Sequence, residues 1–327
     1  MPKHIFQLHI THLCNLKCTH CYQEEYNNHM ELNDIIHCLD EYESFLKNKN
    51  LKPQINLTGG EPLLHPDFFK VAKEIKNRNI QLGILTNGTL ITPDVAKKLK
   101  DLKPIFVQVS LDGVESTHDK IRGKGNFQKA LSGIDNLKNE NVKVLVSFTA
   151  QQSNYKDYKK LAKICNEHKV DKLWWDRIVT YNEEDTKTKA LTTKQFKKLV
   201  NTTLNLQALS KFFKKKTYLS NERSLQFCNW QDCSYQCSAG KNLLVVTADG
   251  SIMPCRRLPF VIGNIKEQTF EDAIKNSNLM KKLSTIEYSS DCKNCKLNAV
   301  CKSGSKCITY AQTNDLFKKD PNCLKNN

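Results

Sequence analysis

The stretch Cys14-Asn15-Leu16-Lys17-Cys18-Thr19-His20-Cys21 decides how this chain is expected to fold and what it is expected to bind. It follows a short apolar run at residues 5–10 and carries three thiols at the spacing C-x3-C-x2-C. Three thiolates on one loop can hold three irons of a [4Fe–4S] cluster, whereas electron-transfer clusters use four cysteines. The stretch therefore predicts a cluster whose fourth iron is open to a ligand. Zinc is the alternative for closely spaced cysteines.

The composition indicates a reducing compartment. The chain has 327 residues and 14 cysteines, enough for two domains or one large one. The N-terminus lacks the apolar stretch of a signal peptide, and no apolar run approaches the length of a membrane span. We therefore expect a cytoplasmic protein whose thiols bind metal rather than form disulfides. The alternative is a secreted disulfide protein without its signal.

The formal net charge of +16 could attract nucleic acid, an anionic membrane or an acidic peptide. The lysines are spread along the whole chain, and the longest basic run is Lys214-Lys215-Lys216. This distribution favours a solvated surface over a binding patch, so neither nucleic acid nor membrane is an expected partner.

Apolar runs alternate with amphipathic stretches up to about residue 180, which predicts a parallel sheet with helical crossovers. Six repeats are too few for a closed eight-stranded barrel, so we expect an α/β fold, a partial (βα)6 TIM-like barrel. The predicted strands are 5–10, 54–58, 80–85, 105–111, 142–149 and 171–179, and the predicted helices are 30–48, 66–78, 92–100, 126–140 and 154–168.

Polar motifs follow the predicted strands at the ends where chemistry gathers in parallel βα folds. The cysteine stretch follows the first strand and Gly59-Gly60-Glu61-Pro62 the second. Thr86-Asn87-Gly88 follows the third, and Ser110 and Asp112 close the fourth. We therefore expect these side chains to converge.

The character of the chain changes after residue 180. Residues 1–180 form the predicted barrel, 181–227 a linker with a helix near 192–214, and 228–327 a segment with nine of the fourteen cysteines. Within it, Gly250 between two β-like runs, 243–247 and 251–253, predicts a hairpin, and Thr269 is the predicted cap of a helix through Leu283. Because this segment has little core of its own, we expect metal centres to hold it together.

The C-x3-C-x2-C stretch together with Gly-Gly-Glu-Pro resembles the radical S-adenosylmethionine superfamily. The resemblance implies that Cys14, Cys18 and Cys21 hold a [4Fe–4S] cluster and that its open iron binds S-adenosylmethionine. One-electron cleavage of that cofactor would give methionine and a 5′-deoxyadenosyl radical, which abstracts a hydrogen atom from carbon. An electron donor such as flavodoxin or ferredoxin is then an expected partner.

Residues around the methionine end of the cofactor are implied by position. Gly59 and Gly60 would let backbone approach the ligand closely. Glu61 would accept the ammonium group, and Arg122 would pair with the carboxylate, an anion that a guanidinium suits.

Residues around the adenosine end are implied in the same way. Tyr22 resembles the family's aromatic beside the adenine, and Ser110 and Asp112 would hydrogen-bond the ribose hydroxyls. Asn87 completes the predicted cofactor-binding set. Ser110, Asp112 and Asn87 are also ordinary turn residues after strands.

The C-terminal cysteines resemble the SPASM extension, which implies two auxiliary [4Fe–4S] clusters and three in all. One would use Cys237, Cys255, Cys307 and an upstream thiol, preferably Cys233 and otherwise Cys228. The other would use four cysteines, Cys292, Cys295, Cys301 and Cys323. Five residues separate Cys301 from Cys307 where the family usually has three, which puts Cys307 in doubt as a ligand. Two zinc sites of a ribbon type are the alternative for the array.

Three cysteines remain outside these sets. Cys38 and Cys165 fall on predicted helices and are expected to pack in the core. Whichever of Cys228 and Cys233 is not a ligand is a candidate hydrogen-atom donor.

Enzymes with this extension mostly modify peptides or proteins. Sulfatase maturases resemble the chain least, because they carry Asp where this chain has Arg256. Arg256 and Arg257 hint at an anionic substrate or an acidic leader peptide, and a charged surface hairpin is their alternative. The chain starts about four residues before the first strand, so we expect no leader-binding domain; a separate leader-binding protein could supply that function.

The predicted function is hydrogen abstraction from a ribosomally made peptide, followed by a thioether or carbon–carbon crosslink while an auxiliary cluster accepts an electron. Epimerisation, which needs a thiol donor, is the alternative among enzymes. A basic zinc protein that binds nucleic acid is the alternative from another class.

Overall fold

Six parallel strands alternating with helices build the first half of the chain. The computed structural model describes residues 2–23, 27–181, 188–212, 216–221, 236–285 and 289–324. The strands are β1 Lys3–His9, β2 Lys52–Thr58, β3 Gln81–Thr86, β4 Phe106–Ser110, β5 Val144–Ala150 and β6 Lys172–Arg177. The helices are α1 Leu32–Leu46, α2 Phe68–Asn77, α3 Pro93–Asp101, α4 Glu115–Arg122, α5 Asn126–Asn139, α6 Tyr158–Glu167 and α7 Thr193–Phe212.

The remaining elements are shorter. They are β7 Tyr218–Ser220, β8 Leu243–Val246, β9 Ser251–Met253, β10 Gly263–Asn264, α8 Phe270–Asn276, α9 Asn278–Ser284, α10 Asn298–Cys301 and α11 Lys306–Thr313. Single 3-10 turns lie at Pro62–Leu64, Tyr155–Asp157 and Ser290–Cys292. No helix in these described ranges has both the length and the apolar character to cross a bilayer.

Local sequence accounts for these elements. In β5 alternate residues are buried, and the β-branched and aromatic composition suits a strand. In α2, Phe68, Val71, Ala72 and Ile75 form one buried stripe at helical spacing. Helix α3 begins after Thr92, whose hydroxyl accepts a hydrogen bond from the Val95 N–H at 3.3 Å.

All ten strands form one sheet in the order β10-β9-β8-β1-β2-β3-β4-β5-β6-β7. Strands β1 to β7 are parallel to their neighbours, and β8 pairs parallel to β1. Strands β9 and β10 add antiparallel pairs beyond β8. The predicted α/β fold with a parallel, barrel-like sheet is confirmed, and the C-terminal segment extends that sheet at its β1 edge.

Three elements differ from the sequence-based expectation. Helix α4 was not predicted, since its sequence ESTHDKIR buries only His118 and Ile121. The helix predicted from Thr269 through Leu283 is two helices, because Ser277 ends α8 and accepts the Met280 N–H at 3.2 Å to cap α9. Strand β7 is only three residues long, below the length that an alternation pattern can reveal.

Candidate functional site

A cavity of about 260 Å³ lies at the ends of the strands β1 to β5. All three cysteines of the opening stretch line it. Most of the predicted cofactor residues line it too: Tyr22, Gly59, Gly60, Asn87, Ser110 and Arg122. Glu61 and Asp112 are fully buried behind this wall and are not among the lining residues. The side chains that follow the predicted strands therefore converge on one cavity, as predicted.

The loop that follows β1 presents three free thiols to the cavity. The Leu16 N–H donates to Cys14 Sγ and the Gln23 N–H to Cys21 Sγ, both at 3.4 Å. Burial raises the pKa of Cys14 to about 11, so the thiol is protonated until a metal displaces the proton. Three soft donors on one cavity wall fit a three-cysteine iron–sulfur cluster.

Gly59 and Gly60 allow the loop after β2 to lie against the start of the cysteine loop. The Gly60 N–H donates to the Thr11 carbonyl and the Glu61 N–H to the Leu13 carbonyl, both at 2.8 Å. A Cβ at Gly60 would lie 2.4 Å from the Leu13 carbonyl oxygen, and one at Gly59 would lie 2.5 Å from that of Thr11. Glycine is thus needed here for backbone packing, and the predicted close approach to a ligand stays a prediction.

The Glu61 carboxylate holds the β2 loop to the end of β3. Its Oε1 accepts from Thr86 Oγ1 at 2.8 Å and from the Leu63 N–H at 3.3 Å, and its Oε2 accepts from the Asn87 N–H at 2.8 Å. Burial raises the pKa of Glu61 to about 7, although these hydrogen bonds oppose the rise. Both oxygens are engaged by the protein, so acceptance of a cofactor ammonium remains a prediction.

Asp112 and Arg122 form a buried ion pair beside Cys18. The Arg122 Nε donates to Asp112 Oδ2 at 2.6 Å, and its Nη1 lies 3.7 Å from Cys18 Sγ. Asp112 Oδ1 accepts the Thr149 N–H at 2.8 Å. Burial alone would raise the pKa of Asp112, but the Arg122 guanidinium brings it below the usual value. Burial raises the pKa of Cys18, and the Arg122 guanidinium beside it opposes that rise. Contact of Asp112 with a ribose stays a prediction.

The residues predicted for the adenosine end lie on different elements of the structure. Ser110 Oγ is 3.4 Å from Ser147 Oγ at the end of β4. Asn87 Nδ2 donates to Asn15 Oδ1 at 2.9 Å, within the cysteine loop. Tyr22 packs on the C-terminal segment, where burial raises the pKa of its phenol and the adjacent Arg257 partly offsets that rise.

The two consecutive arginines take different positions. Arg257 Nη1 donates to Asp176 Oδ2 at the end of β6, and its Nη2 donates to the Arg177 carbonyl at 2.5 Å. Arg256 lines the cavity, where its Nη2 is 3.4 Å from the Tyr22 carbonyl. Within the described ranges no carboxylate forms an ion pair with Arg256. The cavity therefore has one guanidinium available to an anionic ligand.

The structure brings the first predicted C-terminal cysteine group together. Cys237, Cys255 and Cys307 belong to one apolar cluster with Tyr22, Leu258 and Ile308. Burial is the main cause that raises the pKa of Cys255 to about 12, and the neighbouring Cys307 and Cys237 thiols raise it further. Cys307 thus lies with its predicted partners despite its unusual spacing, and its ligation stays a prediction.

The second predicted group also lies together. Four cysteines line one small cavity with Asp320: Cys292, Cys295, Cys301 and Cys323. Burial is the main cause that raises the pKa of Cys301 to about 12, and the neighbouring Asp320, Cys323 and Cys292 raise it further. Four cysteines around one space fit a cluster held by four cysteines.

The other cysteines divide into two kinds. Cys38 and Cys165 are buried in the main core, which confirms their predicted packing role. Cys228 and Cys233 lie outside the described residues, so neither the upstream ligand nor the hydrogen-atom donor has a described position.

Sequence reasoning missed several polar residues of the main cavity wall: His9, His20, Gln23, Gln108 and Thr149. Their signal was position alone, since they end strands or interrupt the cysteine loop. His9 Nε2 and His20 Nδ1 are buried and have no hydrogen-bond partner in the part of the chain described. Burial lowers the pKa of His20 to about 4, so it is neutral. Such polar atoms suit a cavity that takes a polar cofactor.

Two family profiles match the chain. The radical SAM superfamily profile matches residues 8–163, which include the cysteine loop and the barrel strands β2 to β5. The profile of an iron–sulfur cluster-binding domain, SPASM, matches residues 237–296, which include the hairpin and four of the C-terminal cysteines.

Curated relatives span nearly the whole chain. The AdoMet-dependent heme synthase of Methanosarcina barkeri is 26% identical over 95% of this chain and 93% of its own length. The mycofactocin maturase MftC of Mycobacterium tuberculosis is 24% identical over 97% of this chain and 81% of its own length.

The fold has solved counterparts. The structure of SuiB from Streptococcus suis bound to S-adenosylmethionine matches with a TM-score of 0.79 and 18% identity, over 99% of this chain and 78% of that one. This likeness concerns the fold.

Proposed function

This chain is a radical S-adenosylmethionine enzyme with a SPASM iron–sulfur domain, and we propose that it crosslinks a ribosomally made peptide. When bound, the first cluster and S-adenosylmethionine supply a 5′-deoxyadenosyl radical that removes a hydrogen atom from carbon. We further propose three [4Fe–4S] clusters, held by the three cysteine groups described above. The alternative of a non-catalytic zinc protein does not agree with the two domain matches.

The closeness of the first C-terminal cysteine group to the main cavity carries this proposal. Tyr22 directly follows Cys21 on the cavity wall and packs on the apolar cluster that contains Cys255 and Cys307. Arg256 directly follows Cys255 and lines the same cavity. A substrate held there lies between the radical source and the first auxiliary group. That placement supports net oxidation, as crosslinking needs, over return of the hydrogen atom, as epimerisation needs.

An acidic or carboxylate-bearing substrate suits the charges of the cavity. Among the described lining residues the charged side chains are Arg122 and Arg256, and Arg122 is paired with Asp112. Arg256 forms no ion pair with a described carboxylate, and guanidinium–carboxylate pairs give strong, oriented hydrogen bonds. SuiB, whose fold this chain shares, has been solved with its precursor peptide SuiA. A separate leader-binding protein and a flavodoxin- or ferredoxin-type electron donor complete the proposed partners.

Mass spectrometry of a candidate peptide tests the proposal. Reconstituted enzyme, S-adenosylmethionine and dithionite are incubated with a short peptide encoded beside the gene. A crosslink removes two hydrogen atoms, so the expected product is about two mass units lighter, with 5′-deoxyadenosine formed in step. A peptide whose mass is unchanged in ordinary water, but which takes up deuterium in heavy water, would instead support epimerisation. Arg256→Gln should weaken peptide binding and Arg256→Lys should restore much of it.

A tetrapyrrole is a second candidate substrate, favoured by the similarity across 95% of the chain to a protein named AdoMet-dependent heme synthase. Iron coproporphyrin III carries several carboxylates, which Arg256 would also suit. Titrating the reconstituted enzyme with this porphyrin, followed by Soret absorbance, separates the candidates. Saturable binding weakened by Arg256→Gln supports the tetrapyrrole, and no binding supports the peptide.

A further inference from the structure

Three lysines converge on the first C-terminal cysteine group. Lys241, Lys302 and Lys306 line a small cavity together with Cys237 and Phe317. Like charges at one place repel one another, and burial beside Lys302 lowers the pKa of Lys241 to about 8. The described residues of this cavity include no carboxylate. A nearby anion would stabilise the charged forms of these lysines.

Lys306 is the buried member of the three. The residue is 8% exposed, and its Nζ has no hydrogen-bond partner within the described chain. The ammonium lies over the Phe317 ring, 4.7 Å from its centroid, which compensates only part of its lost hydration. An unpaired buried ammonium is costly. A nearby negative charge would favour the charged form of Lys306, and no described side chain supplies one by direct contact.

Lys306 adjoins both C-terminal cysteine groups. It lines one cavity with Cys237 of the first group, and the N–H of the preceding residue, Ser305, donates at 3.0 Å to Asp320 Oδ2 in the cavity of the second group. Lys306 is also the first residue of α11, with Cys307 next to it in the same turn. The positive end of that helix dipole adds to the lysine charge. Lys306 thus lies between the two groups.

We propose that the Lys306 ammonium is a counter-charge shared by the two auxiliary clusters and that it raises the reduction potential of both. The proposal rests on the cluster assignment of the proposed function but not on the substrate. A [4Fe–4S] cluster with four thiolates is anionic, and adding an electron increases that charge. A cation held inside the protein favours the reduced state, because screening there is weak.

The test is an anaerobic redox titration of the full, reconstituted chain followed by electron paramagnetic resonance. Lys306→Met removes the charge with little change in length. We expect reduction of both auxiliary clusters to become about tenfold less favourable, a midpoint lower by about 59 mV. The cluster on Cys14, Cys18 and Cys21 should keep its potential and serve as the internal reference. Lys306→Arg should stay close to wild type.

Lys293→Met is the matched control, because Lys293 is exposed and adjoins Cys292. Unchanged auxiliary potentials in a fully loaded Lys306→Met variant would overturn the proposal, as would equal shifts in Lys306→Met and Lys293→Met. If Lys306→Met loses auxiliary iron, retention of that iron by Lys306→Arg supports the counter-charge and loss from both overturns it. Wild-type protein without auxiliary clusters would contradict the proposed function itself.

Discussion

Replacing Asp320 with Asn should destabilise the contact between the barrel and the C-terminal cysteine segment by about 3–5 kcal/mol, because it removes the carboxylate that neutralises a buried guanidinium. Arg177 at the end of β6 and Asp320 have side chains that are 2% and 1% exposed. Arg177 Nη1 donates to Asp320 Oδ1 at 2.7 Å and Nη2 to Oδ2 at 2.8 Å. Oδ1 also accepts the Asn322 N–H at 2.9 Å, and Oδ2 accepts the Ser305 N–H at 3.0 Å.

Each carboxylate oxygen therefore accepts two hydrogen bonds, and an amide can supply only one such oxygen. The amide introduced by Asp320→Asn would direct its NH2 group at two donors whichever way it is oriented. Burial alone would raise the pKa of Asp320, but Arg177 brings it below the usual value. The Arg177–Asp320 pair consequently stabilises the folded protein in full above the ordinary aspartate pKa near 3.9. This stabilisation is lost as the pH falls through the lower pKa of Asp320 in the folded state.

Urea unfolding of the reduced apo protein at pH 7 measures this effect through Trp174 and Trp175, which lie on β6 beside Arg177. Glu140→Gln is the control, since its pair with Lys100 is 29% and 52% exposed and should contribute about 1 kcal/mol or less. The double variant Arg177→Met with Asp320→Asn should recover part of the loss. Equal unfolding free energies for Asp320→Asn and Glu140→Gln would refute this reasoning.

Gly60→Ala should displace the cysteine loop and lower iron retention at the first site, measured as iron per chain, because the new Cβ would overlap the Leu13 carbonyl; full iron content would contradict this. Burial raises the pKa of Glu61 to about 7 in the folded protein. Glu61 therefore adds most to the free energy of unfolding below its unfolded pKa near 4.3, and this contribution declines as the pH rises towards 7. Urea unfolding of Glu61→Gln at several pH values should lack that decline, and an unchanged decline would assign it elsewhere. Cys301→Ala should lower iron from about 12 to about 8 per chain while 5′-deoxyadenosine is still formed; loss of all iron would mean that the groups do not assemble separately.

Local pattern was enough to predict the barrel. The six predicted strands correspond to β1 to β6 because each carries a run of buried apolar residues. The helices α1, α2, α3, α5 and α6 show apolar spacing of the same clarity. Helix α4 was not predicted because it is short and polar. Its last residue, Arg122, pairs with Asp112, and this contact rather than an apolar stripe fixes the helix.

Contacts between distant residues could not be predicted from one sequence. The parallel pairing of β8 with β1 joins Leu243 to Ile5, and no local signal marks that register. The Arg177–Asp320 pair spans 143 residues. For the site, the family resemblance predicted which C-terminal cysteines lie together, but not that Arg256 lines the cavity while Arg257 pairs with Asp176. That separation depends on how the C-terminal segment packs on the barrel.

Cleavage of S-adenosylmethionine tests the central claim most directly. Anaerobically reconstituted protein with dithionite should convert it to 5′-deoxyadenosine and methionine, measured by liquid chromatography with mass spectrometry. Cys18→Ala removes one of the three thiols of the first site and should abolish the product, whereas Cys38→Ala, a buried core cysteine, should retain it. Continued formation of 5′-deoxyadenosine by Cys18→Ala would contradict the account.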